Sequence, residues 1–453
     1  MSGGDTIYAL SSAPGPAGVA VIRLSGPSSD AICEALTGAL PAPRAASLRT
    51  LRDPETREPV DRGLVLRFPG PNSFTGEDCV EFQVHGGRAV LDDLFAVLNR
   101  FPDARLAEPG EFSRRAFVNG RMDLTAAEGV ADLVAAETSA QRRAALAQAD
   151  GALARLYDGW RARLIHHLAH IEAWLDFPDE DLPDDVFAAL IEGVRELTAD
   201  IAAHLQDARR GERLRDGLTV AIVGPPNAGK STLMNALAER DVAIVSDVPG
   251  TTRDVLEVHL DLGGYPVVLI DTAGLRESDD TVEREGVRRA LDRARSADLV
   301  LALTPVTAPD GPQPYRPPQT GDGPDVGPEV ISVGSKADAP VSDLPSRNET
   351  EFDVILSAQT GVGLSGLIEG LTARAAALTD AGGRVLPTRL RHRQGLSDCL
   401  THLERAGSFD PALPRELLAE DLRLAMRALG RITGTVDVED LLDVIFRDFC
   451  IGK

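Results

Sequence analysis

Residues Gly224-Pro225-Pro226-Asn227-Ala228-Gly229-Lys230-Ser231 match the pattern G-x-x-x-x-G-K-[ST]. The chemistry of that pattern is phosphate binding. Backbone N–H groups of the loop cradle the phosphates, the Lys230 ammonium reaches their outer oxygens, and the Ser231 hydroxyl can ligate Mg²⁺. The apolar run Thr219–Val223 before the loop reads as a strand, and Thr232–Leu237 after it reads as a helix. Strand, loop and helix in that order are the context the pattern requires. Asn227, Ala228, Gly229, Lys230, Ser231 and Thr232 are therefore the candidate phosphate contacts.

Four further pieces have spacing that completes a nucleotide site. Asp271-Thr272-Ala273-Gly274 follows the apolar run Val267–Ile270. A carboxylate at a strand end can join the Mg²⁺ shell, and a following glycine lets its N–H meet the γ-phosphate; such loops change order when that phosphate leaves. Thr251-Thr252-Arg253-Asp254 lies between the two, and the Thr252 hydroxyl could complete the Mg²⁺ coordination. Ser335-Lys336-Ala337-Asp338 follows the run Val330–Val333. The Asp338 carboxylate can accept the N1 and N2 protons of guanine, whereas adenine has no N2 amine, so this position separates a GTPase from an ATPase. Ser357-Ala358-Gln359, after Val354–Leu356, would put a backbone N–H near the guanine oxygen. The five pieces resemble the translation-factor-related class of GTPases, with one departure. Ser335 stands where Asn is usual, and serine has one hydroxyl and less reach.

Catalysis in such a site needs an oriented water and neutralised phosphate charge. The residue after Asp271–Gly274 is Leu275, which can orient nothing. The nearby carboxylates Glu277, Asp279, Asp280, Glu283 and Glu285 are alternatives, no arginine finger is evident, and Asn227 could help hold a monovalent cation beside the phosphates.

The composition of the 453-residue chain bounds the rest. Net charge is -23, which excludes a wholly basic nucleic-acid clamp while leaving a local basic patch open. Only three of the 47 basic residues are lysine (Lys230, Lys336 and Lys453), and two of these fall inside the nucleotide pieces, where a guanidinium fork would not serve. The four cysteines, Cys33, Cys79, Cys399 and Cys450, form no CxxC pair, which fits a reducing cytoplasm. No apolar run is long enough for a membrane span and no secretory signal is visible. His166 and His170 could share a helix face but lack a third ligand. Trp160, Trp174, Cys33 and Cys399 read as core.

The elements that must position these groups change character along the chain. Up to about residue 120, strands (Val19–Leu24, Arg62–Phe68, Cys79–His85) mix with a helix at 88–99. From 122 to 210, two stripes at helical spacing, Leu153-Leu156-Trp160-Leu164-Leu168-Ile171-Leu175 and Val186-Leu190-Val194-Leu197-Ile201-Leu205, predict long packed helices broken at Phe177-Pro178. From 217 to 376 short apolar runs alternate with helices, as in a mostly parallel sheet, with 304–329 a surface loop. Helix resumes after 385, so the α/β module is inserted in a split helical domain.

The chain resembles, essentially end to end, the bacterial tRNA-modification GTPases of the wobble-uridine pathway, the MnmE/TrmE family. The resemblance is carried by Asp5-Thr6-Ile7, Val21–Gly26, Pro71–Asp78, His85-Gly86-Gly87, Gly110-Glu111-Phe112, Arg115-Ala116-Phe117, Asn119–Leu124, Gly224–Ser231, Asp271–Arg276 and the terminal Phe449-Cys450-Ile451-Gly452-Lys453. It implies a multidomain α/β and α protein: an N-terminal α+β folate-binding and dimerisation domain (1–120), a discontinuous helical domain (121–215 and 379–453) and an inserted Ras-like P-loop GTPase domain (216–378). It implies a cytoplasmic homodimer that works with an FAD-dependent partner on tRNA. Together they would add an aminomethyl or carboxymethylaminomethyl group to C5 of the wobble uridine, drawing the carbon from methylene-tetrahydrofolate and the amine from ammonium or glycine. Arg23, Glu81, Arg121 and Lys453 would surround the folate, Arg121 standing where the family usually has Lys. K⁺ would be held by Asn227, Ser246, Val248 and Thr251, Mg²⁺ by Ser231 and Thr252; Lys230, Glu283 and Cys450 would be catalytic, Glu283 orienting the water. A switch GTPase of ribosome assembly or signalling, without a modification role, is the alternative.

Overall fold

The computed structural model describes residues 4–176, 184–240, 242–244, 257–271, 295–306, 328–338, 352–436, 439–447 and 449–452. By contacts the chain divides into two compact units, one of Met1–Val134, Leu146–Thr198 and Gly395–Lys453, the other of Ala135–Ala145 and Ala199–Gln394. The protein is a multidomain chain with an α+β N-terminal part, helices from two chain segments, and an α/β P-loop part.

In the first unit, strands β1 (Thr6–Leu10), β2 (Ala20–Ser25), β3 (Ser47–Arg52), β4 (Pro59–Phe68), β5 (Cys79–Val84) and β6 (Ala104–Leu106) form one sheet in the order β3-β4-β5-β2-β1-β6. Neighbours are antiparallel except β1 and β6. Alternation decides the faces: in β5, Val80, Phe82 and Val84 are buried while Glu81 and Gln83 are not. The buried face packs on α1 (Ser29–Thr37) and α2 (Arg88–Leu98) through Ile32, Leu36, Leu94 and Leu98. Helices α3 (Glu111–Val118), α4 (Leu124–Ala135), α5 (Ser139–Ala149) and α6 (Ala152–Asp176) follow along the chain, with 135–145 assigned to the second unit. Leu153, Trp160, Leu164, Leu168 and Ile171 of the first predicted stripe are buried on α6, and Tyr157 joins them. In the second stripe, on α7 (Asp184–Gln206), whose residues after Thr198 belong to the second unit, Leu190, Val194, Leu197 and Ile201 are buried. Trp174 is half-buried, with the Arg415 guanidinium over its ring. Cys33 and Cys399 are fully buried, and burial pushes their thiols up to about 11 and about 12.

The second unit carries α8 (Ala208–Asp216), β7 (Leu218–Val223), α9 (Lys230–Ala238), β8 (Glu257–Leu262), β9 (Tyr265–Asp271), β10 (Leu299–Pro305), β11 (Glu329–Ser335), β12 (Val354–Ile355) and α10 (Leu364–Thr379). Its sheet has the order β12-β11-β10-β7-β9-β8, parallel except for the β8–β9 hairpin. β7 and β10 are buried along nearly their whole length, the pattern their unbroken apolar runs predict. The expected loop over 304–329 is shorter at both ends, because β10 extends to Pro305 and β11 begins at Glu329; 307–327 lie outside the described residues. Leu390–Gly407 (α11), Arg415–Thr433 (α12) and Glu439–Arg447 (α13) close the chain, belonging from Gly395 on to the first unit.

Candidate functional site

The phosphate loop leaves the carboxyl end of β7, where the sheet order reverses: β9 lies on one side and β10 on the other. Open α/β sheets bind ligands at this point. Gly224 must lack a side chain, since a Cβ there would lie 2.5 Å from the Leu303 carbonyl oxygen, and Gly229 opens α9 in the left-handed region at φ 93°. Lys230 Nζ donates to the carbonyls of Gly224 at 2.8 Å and Pro225 at 3.0 Å. Burial pulls its pKa below the ordinary lysine value, and the Asp271 charge opposes that pull. The Ser231 hydroxyl donates to Asp271 Oδ2 at 3.3 Å. Two oxygens from different elements thus converge beside the phosphate loop, a donor set that suits a hard cation such as Mg²⁺.

The base side of the site is built by β11 and the loop after β12. The Ser335 hydroxyl donates to the Ala228 carbonyl at 2.7 Å, with both residues buried. One hydroxyl therefore suffices to tie the end of β11 to the phosphate loop. Lys336 turns the chain with φ 60°. Asp338 Oδ1 accepts the Ser357 hydroxyl at 2.6 Å, and that bond is the main cause holding the carboxyl below its ordinary range. The Ser357 N–H is taken by the Val362 carbonyl at 2.9 Å. Ser335, Lys336 and Asp338 are thus brought together with Ser357, Ala358 and Gln359, as the spacing predicts.

The N-terminal candidates meet across the first sheet. Arg23 on β2 lies directly opposite Glu81 on β5, and its Nε and Nη2 reach Glu81 Oε1 at 3.0 and 2.9 Å. The Arg23 guanidinium sits 5.1 Å from the Phe74 ring centroid and 5.8 Å from that of Phe112. The pair sets guanidinium donors and a carboxylate acceptor beside two aromatic rings. The C-terminal tail docks nearby: the Cys450 carbonyl accepts the Gly110 N–H at 3.3 Å, Ile451 bridges Pro109, and the Ser11 hydroxyl donates to the Gly452 carbonyl at 2.9 Å. The Cys450 thiol is exposed. Arg121, also exposed, lies beside Gly76, in the loop that carries Phe74.

Two family models cover the chain: "GTP-binding protein TrmE N-terminus" over residues 6–121 and "MnmE helical domain" over 124–450. The protein named tRNA modification GTPase MnmE of Parvibaculum lavamentivorans is 54% identical over 99% of this chain and 100% of its own length. Those of Rhodospirillum rubrum and Methylobacterium radiotolerans are 52% and 50% identical, over 99% and 100% of this chain and 99% and 100% of theirs. The chain belongs to the MnmE/TrmE family of tRNA-modification GTPases. Among solved structures, the G domain of the T. maritima FeoB iron transporter aligns at 24% identity over 35% of this chain and 98% of that one, with a TM-score of 0.25.

Of the residues that the family resemblance singles out, Ser246, Val248, Thr251, Thr252, Thr272, Ala273, Gly274, Glu283 and Lys453 lie outside the described residues. Among the described residues no group of three His, Cys, Asp or Glu side chains could hold a metal ion. No described helix is long and apolar enough to cross a membrane.

Residue-by-residue reading missed an ionic cluster behind the N-terminal motifs. Arg105 bonds Asp5 at 2.5 Å and Glu111 at 2.6 and 2.9 Å; Arg115 bonds Asp5, Glu77 and Glu111 at 3.2, 3.2 and 3.0 Å. Glu77 in turn accepts the Ser25 hydroxyl at 2.7 Å. Burial pushes Glu111 up, but the bonds from Arg105, the Glu108 N–H and Arg115 outweigh it and hold the carboxyl below its ordinary range. Asp5, Glu77, Glu111 and Arg115 all stand in the quoted motifs, so the available signal was charge concentrated in motifs that no ligand role used.

Proposed function

We propose that the chain is a K⁺-dependent GTP hydrolase that, with an FAD-dependent partner, installs an aminomethyl or carboxymethylaminomethyl group on C5 of the wobble uridine of certain tRNAs. The observations that carry this reading are the docking of Cys450–Gly452 on Ser11 and Gly110, and the Arg23–Glu81 pair against Phe112, in a chain that also holds a P-loop nucleotide site. A nucleotide switch alone has no use for that second constellation.

In this reading, Asp338 accepts the N1 and N2 protons of guanine, held in place by Ser357, while Ala358 or Gln359 donates to the base oxygen. Lys230 neutralises the outer phosphate oxygens. Ser231, with Thr252, ligates Mg²⁺, and Asp271 completes the oxygen shell. Asn227, Ser246, Val248 and Thr251 hold K⁺, which offsets charge that an arginine finger would otherwise meet. Glu283 orients the attacking water, a role Leu275 cannot fill. Arg23, Arg121 and Lys453 attract the acidic tail of a reduced folate, Glu81 accepts from its amino groups, and Cys450 stands at the modification site. The folate, when bound, supplies the one-carbon unit. The reading includes a cytoplasmic homodimer formed through residues 1–120 and the domain division at 120, 215 and 378.

The test is reconstitution of the full-length chain with its FAD-dependent partner, unmodified tRNA, methylene-tetrahydrofolate, GTP and ammonium or glycine in K⁺. Mass spectrometry of the nucleosides is expected to find the C5 adduct at the wobble position. An unmodified wobble uridine, with GTP hydrolysed, would reject the modification role and leave the switch.

A further inference from the structure

The two rings beside the Arg23 guanidinium come from different elements. Phe74 stands in the loop 69–78 between β4 and β5, and Phe112 stands at the start of α3. The loop is tied down by polar groups. The Asn119 amide donates to the Thr75 carbonyl at 2.7 Å, the Ser73 hydroxyl to the Glu77 carbonyl at 2.5 Å, and the Gly26 N–H to the Asp78 carbonyl at 3.0 Å. Its side chains continue as a line of hydrogen bonds with a fixed direction. Ser25 Oγ lies 2.6 Å from Thr75 Oγ1 and 2.7 Å from Glu77 Oε2. A carboxylate only accepts, so Ser25 donates to Glu77 and accepts from Thr75. The Cys79 thiol also donates to Ser25 Oγ, at 3.4 Å. Glu77 Oε2 takes Arg115 Nη1 at 3.2 Å, and Arg115 Nη2 reaches Glu111 Oε1 at 3.0 Å, one residue before Phe112. Arg115 Nη1 also donates to the Asp5 carbonyl at 2.9 Å, next to β1.

The line Thr75–Ser25–Glu77–Arg115–Glu111 therefore joins the Phe74 loop, the end of β2 and the start of α3. Ser25 and Thr75 are fully buried, and the Arg115 and Glu111 side chains are nearly so, which leaves water little access to replace a lost link. Ser25 stands two residues beyond Arg23 on β2, so the line begins on the Arg23 face of the sheet. Phe112 and Phe74 pack on Ile7, Ala9 and Ala107 of that same region. Rings held there, together with the Glu81 bond, restrict the Arg23 side chain before any ligand arrives, and a ligand then need not order it.

We infer that Ser25, Glu77 and Arg115 are positioning residues for the ligand of the Arg23–Glu81 pair, acting by fixing Phe74 and Phe112 against the Arg23 guanidinium. That the ligand is a reduced folate rests on the modification reading; the holding of the rings does not. Fluorine NMR of the full-length protein labelled with 3-fluorophenylalanine reads the rings, with Phe74→Leu and Phe112→Leu assigning the two signals. Calorimetric titration with tetrahydrofolate reads the site. In Ser25→Ala both ring signals shift or broaden, and tetrahydrofolate binds about tenfold more weakly, the scale of one buried bond to a charged group. Glu77→Gln keeps size and removes charge; it gives a smaller loss in the same direction and carries the test if Ser25→Ala folds poorly. Arg115→Met repeats the Ser25→Ala result, and Arg115→Lys recovers part of it. In reconstituted modification the loss appears in KM for methylene-tetrahydrofolate, with kcat within about twofold. Arg105→Met is the control. Arg105 bonds Asp5, Glu111 and the Leu106 carbonyl rather than the Phe74 loop, so this variant loses stability while its Phe74 signal and tetrahydrofolate affinity hold. Unaltered ring signals in Ser25→Ala and Glu77→Gln overturn the inference, as do displaced rings with full tetrahydrofolate affinity. An equal loss of affinity in Arg105→Met overturns it too, because the cluster would then serve only stability. If the wild-type protein binds no tetrahydrofolate, the folate reading fails while the ring signals still decide the positioning.

Discussion

Ser335→Ala removes one hydrogen bond whose consequences can be sized. The hydroxyl is 3% exposed and donates at 2.7 Å to the carbonyl of Ala228, itself fully buried. Deleting the donor leaves a desolvated acceptor, at a cost of about 1–3 kcal/mol. Ala228 immediately precedes Gly229 and Lys230, so the released peptide is part of the phosphate cradle. If the loop binds phosphates only when held, affinity for GDP and GTP falls by the same free energy, a factor of about 5–150. Both nucleotides share the cradle, so they weaken together. Discrimination between guanine and hypoxanthine is expected to stay unchanged, because in the proposed reading Asp338 accepts the N2 amine, and its bond to Ser357 is kept. Ser335→Asn, with an amide donor at the same position, is expected to recover most of the affinity. Stopped-flow release of a fluorescent GDP, with competition by GTP and ITP, measures each quantity. Unaltered GDP release would refute the brace, and loss of guanine over hypoxanthine selectivity would refute the separation of loop-holding from base-reading.

Other outcomes follow from the same geometry. Asp338→Asn loses preference for GTP by about tenfold or more, read by nucleotide titration, because an amide presents a donor where the carboxylate accepted. Removal of 449–453 abolishes wobble-uridine modification and leaves nucleotide affinity intact, whereas Cys450→Ser isolates the thiol from the tail's contacts at Ser11 and Gly110. Glu283→Ala binds GTP yet hydrolyses it slowly in K⁺, and the native protein turns over much faster in K⁺ than in Na⁺; steady-state hydrolysis in both salts checks the pair. The Asp5 and Glu111 carboxyls are held below their ordinary values, so their contribution to stability is full above the unfolded pKa of about 4 and is lost as pH falls through the depressed folded values. Acid unfolding of the full chain should therefore shift to higher pH in Arg105→Met, which removes a partner of both acids.

The nucleotide site was legible because its chemistry is local. Gly224–Ser231, Asp271, Ser335–Asp338 and Ser357–Gln359 each sit at one strand end, where ligands of open α/β sheets bind, so each motif can be read from a few contiguous residues. The unbroken apolar runs of β7 and β10 and the helical stripe on α6 were equally direct, since burial on both faces or on one stripe writes a period into the sequence. The short strands β1, β3 and β6 escaped notice, because β1 is buried on consecutive residues and β3 and β6 lie at the sheet edges with weak alternation. Alternation also placed Glu81 and Gln83 on one face of β5 without saying what lies across from them. Only strand register sets Arg23 against Glu81, 58 positions away, and only the closed fold brings Ser11 to Gly452, 441 positions away. Ser335 is the plainest case. The sequence could show that asparagine was missing, but whether one hydroxyl reached the phosphate loop depended on an approach of β11 to Ala228 across 107 positions, a distance set by the packing of the whole sheet.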